Sequence, residues 1–111
     1  MSDATPEVQV KPKNKKKRKP KREPRFSVVL WNDDVHTFQY VIVMLQALFG
    51  YPPEKGMQLA QEVHNTGRAV VFTSSLEKAE LKRDQVLAFG EDPWAEENIG
   101  PLGATLERCP D

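Results

Sequence analysis

The sequence predicts an α+β fold: a two-layer sandwich of three short strands and three helices, in the order βααβαβ, behind a disordered basic N-terminal arm. Three observations lead there. The apolar run Val28-Val29-Leu30-Trp31 stops abruptly at Asn32-Asp33-Asp34, as a buried strand does when it leaves through a turn. Two stripes of apolar or small residues at helical spacing follow. About 85 residues remain after the arm, enough to bury roughly 60–65% of their unfolded surface in one small core.

The elements follow in order. Arg25 to Trp31 is the first strand. Thr37 is placed to cap a helix from Phe38 to Phe49. Its residues Val41, Met44, Leu45, Leu48 and Phe49 recur at i, i+3, i+4, i+7 and i+8, and Gly50 ends it. Tyr51-Pro52-Pro53 is a rigid link, and Pro53 suits the first turn of a second helix reaching about Asn65. Gly56, Leu59, Ala60, Val63, His64 and Gly67 give that helix its stripe, and Gly67 provides a left-handed exit. Ala69 to Thr73 is a second strand. Ser74 and Glu77 have the spacing of a capping box opening a third helix, which runs to about Phe89. Gly90 to Gly100 is an irregular loop, and Leu102 to Glu107 a last strand.

Charge divides the chain. Residues 1–25 hold ten basic residues against Asp3, Glu7 and Glu23, a net +7, while 26–111 hold six basic and thirteen acidic, a net −7. The arm 1–25 repels itself, is broken by proline and has too little apolar surface to offset its ordering entropy. Such a run can neutralise phosphates, serve as a handle for a partner, or fold back onto the acidic domain. It has no aromatic residue to stack on bases, so nucleic acid is not the expected partner. Residues 26–107 form the expected domain and 108–111 a short C-terminal tail. A single cysteine, Cys109, allows no internal disulfide or thiolate cluster, which fits a reducing compartment. No apolar run is long enough to span a bilayer or placed to make a signal peptide, so a cytoplasmic protein is expected.

Asn32-Asp33-Asp34 has a plain structural reading, since Asn and Asp are common turn formers. His64, near a helix end, has one as a dipole partner. The predicted topology changes their standing, because the first strand and second helix can bring His64 beside Asn32 and Asp33.

Taken together, Val29-Leu30-Trp31-Asn32-Asp33-Asp34, Val63-His64 followed by Gly67-Arg68-Ala69, and Pro101-Leu102 with Thr105-Leu106-Glu107 resemble the ClpS family across residues 26–107. The resemblance implies an adaptor, not an enzyme, that binds N-degron substrates and delivers them to a Clp protease. By position it implies that Asn32, Asp33 and His64 receive the substrate's α-amino group. It implies a side-chain pocket of Asp34, His36, Phe38, Val41, Ala60, Val63 and Leu102. Val41 and Val63 also read as core. Glu77 and Lys82 match positions that face the unfoldase, or else sit on a solvated helix face. The implied partners are N-degron peptides and the N-terminal domain of a ClpA- or ClpC-like AAA+ unfoldase. A monomer with no cofactor, metal or membrane contact is expected. The chain departs from the usual family pattern in three places: His36 for Thr, and Phe38 and Ala60 for Met. Its loop 91–100 is also longer than the family's.

Other classes fit less well. Asp33 and His64 lack a nucleophile for catalysis, and the spacing of Asp33, His36 and His64 matches no zinc signature. A ClpS-fold interaction module that has lost degron binding, or a basic-tailed nucleic-acid-associated protein, are the alternatives.

Overall fold

The computed structural model describes residues 23–97 and 100–110; the predicted arm lies almost wholly outside them. The elements are β1 (Arg25–Trp31), α1 (Phe38–Phe49), α2 (Pro53–Thr66), β2 (Arg68–Ser75), α3 (Leu76–Leu87) and β3 (Ala104–Arg108). The βααβαβ order is therefore the observed one. The sheet runs β2-β1-β3, with β1 antiparallel to both neighbours. The run Val28–Leu30 is fully buried because it is the central strand.

The helices supply the second layer. Val28 and Leu30 of β1, Ala69 and Val71 of β2 and Ala104 of β3 pack in one cluster with Tyr40, Met44 and Leu45 of α1, Leu59, Ala60 and Val63 of α2, and Ala79 and Val86 of α3. The β1–β2 register slips between Val28 and Val29, which leaves Val71 as the extra residue of a bulge and turns it into the core. Gly56 lets α2 cross close to α1: a Cβ there would lie 3.3 Å from the Ile42 Cα.

The caps largely follow the sequence. The Thr37 hydroxyl accepts from Tyr40 N, and Gly50 and Gly67 both take left-handed conformations that close α1 and α2. The predicted capping box does not form. β2 continues to Ser75, whose hydroxyl caps α3 through Lys78 N, so Glu77 falls one position early for the reciprocal bond. α3 stops at Leu87, freeing Phe89 to pack edge-on against the Tyr40 ring. β3 begins at Ala104 rather than Leu102, because Leu102 turns inward and is buried. Lys82 is not simply solvated: its Nζ donates to the Leu48 carbonyl (2.6 Å), near the Phe49 ring, where α1 has an unpaired carbonyl to offer. Glu77 is exposed.

Candidate functional site

Two backbone bonds at the end of β1 assemble the site. Asn32 N donates to Gly67 O (2.9 Å), which sets the acidic turn against the last turn of α2, one helical turn from His64. Trp31 N donates to Gly103 O (3.0 Å), which brings Leu102 in from the other side.

The turn is held by its own side chains. Asn32 brackets Asp34: its Nδ2 donates to Asp34 Oδ1 (2.8 Å) and its Oδ1 accepts from Asp34 N (3.3 Å). Asp34 sits at φ 64°, a left-handed position that Asp tolerates better than most side chains. Asp33 Oδ1 accepts from Val35 N and His36 N, and its Oδ2 meets His36 Nδ1 at 2.5 Å. Burial opposes ionisation of Asp33. The His36 and Val35 N–H groups and the His36 ring outweigh it and hold the carboxyl below its ordinary pKa. The turn-former and charged-site readings of this triplet are thus compatible, since one lone-pair direction on Oδ2 stays free.

A second acid, Asp92, organises the 90–100 loop. It is 6% exposed and accepts from Thr37 N (2.7 Å), Thr37 Oγ1 (3.0 Å) and Trp94 N (2.9 Å). Sequence reasoning missed it. The available signal was the Asp92-Pro93 pair, a turn initiator whose carboxylate bonds two residues ahead. Burial raises the Asp92 pKa, but the Thr37 and Trp94 donors and the nearby His36 lower it further, for a net depression. Stability from Asp33 and Asp92 is therefore present above the unfolded carboxyl pKa of about 3.9 and is lost as pH falls through the folded values. Asp92→Asn turns an amide N–H₂ toward donors, and is expected to cost about 1–3 kcal/mol in urea unfolding at pH 7. Its stability should also decline less than the wild type's on acidification. Unchanged stability would mean that the loop does not depend on this carboxylate.

The pocket that results has a volume of about 180 Å³. That is below the roughly 300–1,000 Å³ of sites for drug-sized ligands, and suits one side chain. Asn32, Asp33 and His64 line it together with Asp34, His36, Phe38, Val41, Ala60, Val63 and Leu102, so the ten substrate-site residues named from the sequence meet here, with Thr37 in addition, while Glu77 and Lys82 lie elsewhere on α3. Val41, Ala60, Val63 and Leu102 are nearly fully buried and form the apolar wall. Phe38 sets its ring edge-on to His64, with centroids 5.4 Å apart. His36 is different: its side chain is 2% exposed and its Nε2 lies 3.0 Å from Gly100 O.

Nothing in this arrangement supplies a nucleophile. It is a pocket with acceptors at its mouth and an apolar floor, the plan of a binding module. The family model for the ATP-dependent Clp protease adaptor protein ClpS matches residues 21–103. The adapter ClpS of Pectobacterium carotovorum is 40% identical over 95 residues, covering 84% of this chain and 85% of the relative. That of Ruegeria sp. is 34% identical over 87 residues, covering 78% and 73%. Agrobacterium tumefaciens ClpS2, solved bound to L-phenylalaninamide, superposes with a TM-score of 0.68 at 29% identity, over 78% of this chain and 99% of that one. The chain is thus a protease adaptor rather than an enzyme. It belongs to the ClpS family, the adaptors of the Clp protease, and its partner is accordingly a Clp unfoldase.

Proposed function

We propose that this adaptor captures the free α-amino group and the bulky apolar first residue of N-degron substrates. It then passes them to the N-terminal domain of a ClpA- or ClpC-like unfoldase. The observation that carries the reading is the single pocket that joins Asn32, Asp33 and His64 to the apolar wall of Val41, Ala60, Val63 and Leu102. A terminal ammonium is a compact cation with three donors. An amide oxygen, a carboxylate and a neutral imidazole nitrogen are acceptors for it, and charge-assisted bonds are roughly twice as strong as neutral ones. The phenylalaninamide bound by the Agrobacterium relative has the same two features, a free α-amino group and a large apolar side chain. On the unfoldase side, Glu77 is exposed on α3, and Lys82 anchors that helix to the end of α1. The arm 1–25 then acts in delivery rather than in affinity.

The test is a titration with peptides that differ only in residue one. Phe, Trp, Tyr and Leu are expected to bind, and Gly and Glu are not; affinity indifferent to residue one would contradict the reading. Side-chain choice follows from the wall. Ala60 leaves room that a thioether would fill, and Phe38 adds a flat ring, so aromatic first residues should be favoured over Leu. Ala60→Met is expected to shift the Phe-to-Leu affinity ratio toward Leu. An unchanged ratio would remove Ala60 from the contact surface.

A further inference from the structure

His36 is the one charged or titratable side chain in the pocket that is almost wholly hidden, yet both of its ring nitrogens are engaged. Nδ1 meets a carboxylate oxygen of Asp33, and Nε2 meets the carbonyl oxygen of Gly100. Both partners are acceptors only, and only the imidazolium has two N–H donors. A neutral ring satisfies one partner and turns a lone pair on the other. The carboxylates that face it are Asp33 from the turn and Asp92 from the 90–100 loop. From α1, the Tyr40 ring lies 5.0 Å away, its hydroxyl turned to Gly90 O.

The consequence is mechanical. Gly100 precedes Pro101 and Leu102, and Leu102 is a pocket wall. Asp33 is the charged group at the pocket mouth. We propose that His36 is a positioning residue: as an imidazolium strut between Asp33 and Gly100, it sets the amine-binding carboxylate and the Leu102 wall together. A single proton then governs both halves of the pocket. Deprotonation frees one end of the strut, so that either the Asp33 carboxylate or the Gly100–Leu102 segment loses its fixed place. For its effect on peptides this rests on the amine-capture reading; the strut itself is a property of the free protein.

Two measurements on the full chain test it. In the free protein at pH 6, the His36 ring is expected to show N–H correlations at both nitrogens by ¹⁵N NMR. A bare nitrogen in the folded protein at that pH would overturn the strut, whatever the peptides do. The second compares wild type with His36→Thr, using a peptide with a free N-terminal Phe, from pH 6 to 8.5. The ratio of the two affinities cancels the titration of the peptide's amine and of His64, which are common to both. The wild type is expected to bind about tenfold more tightly, the loss of one or two good hydrogen bonds. That ratio should fall toward one in step with loss of the second ring proton in the NMR signals. A ratio near one throughout, or one that stays fixed while the proton is lost, would overturn the proposal. Failure of the wild type to bind any such peptide would instead overturn the amine-capture reading.

Discussion

Asp33→Asn is expected to weaken binding of a Phe-initiated peptide by about 2–3 kcal/mol, roughly 30- to 150-fold, while leaving the domain folded. The substitution is chosen for what it keeps. The amide oxygen still accepts from Val35 N and His36 N, as Oδ1 does now. The new amide N–H₂ can donate to His36 Nδ1, and the neutral ring then donates through Nε2 to Gly100 O. Turn, strut and pocket all survive, and what is lost is the negative charge. Unfolding free energy should stay within about 1 kcal/mol of wild type, as for changes that leave no buried group unpaired. Calorimetry of peptide binding beside urea unfolding reads both. Full peptide affinity in this variant would mean that the ammonium draws nothing from Asp33.

Protonation of His64 on acidification is expected to weaken binding. An imidazole that accepts a bond from an ammonium must be neutral; its protonated form offers no lone pair and sets a second cation beside the ligand. The carboxyl of Asp33 is held below its ordinary pKa and stays ionised throughout, so it adds no acid limb of its own. On the alkaline side the peptide's α-amino group loses its charge near pH ~8, and loss of the His36 strut adds to that limb. The sign is therefore a maximum near neutrality. His64→Gln keeps an acceptor and does not titrate. That variant should bind more weakly at pH 7.5 and lose most of the acid limb; an acid limb of full size in it would remove His64 from the amine site.

The fold was legible where local chemistry and packing agree. β1 shows itself as an apolar run because it is the central strand, buried on both faces. α1 and α2 show themselves as stripes because each buries one face, and Gly50 and Gly67 mark their ends because only a left-handed residue closes them there. What misled was a competition between neighbours. Ser74 and Ser75 are both good caps, and the extra strand residues pairing with Phe26 and Arg25 decided for Ser75. Leu102 looked like strand because it is apolar, yet its burial comes from the pocket wall and not from the sheet.

For the site, the strand-to-turn and helix-end junctions could bring Asn32, Asp33 and His64 together, and the resemblance to the ClpS family supplied the other pocket residues. The hydrogen-bond partners could not be read in this way. Asp92 is 55 residues from Thr37, Gly90 is 50 from Tyr40, and Gly100 is 64 from His36. No periodicity encodes such contacts, since the loop that makes them is irregular. Position in the sequence groups His36 with the pocket wall; its burial and the two acceptors at its ring nitrogens are visible only in the structure.

The most direct test of amine capture compares one peptide with its N-acetylated copy. Both have the same Phe first residue and differ in the terminal charge and its donors. By fluorescence anisotropy at pH 7, the free peptide is expected to bind and the acetylated copy to show no saturable binding, because Asn32, Asp33 and His64 would face an uncharged amide in place of an ammonium. Equal affinity for the two would show that the pocket reads only an apolar side chain, and would contradict amine capture by Asn32, Asp33 and His64.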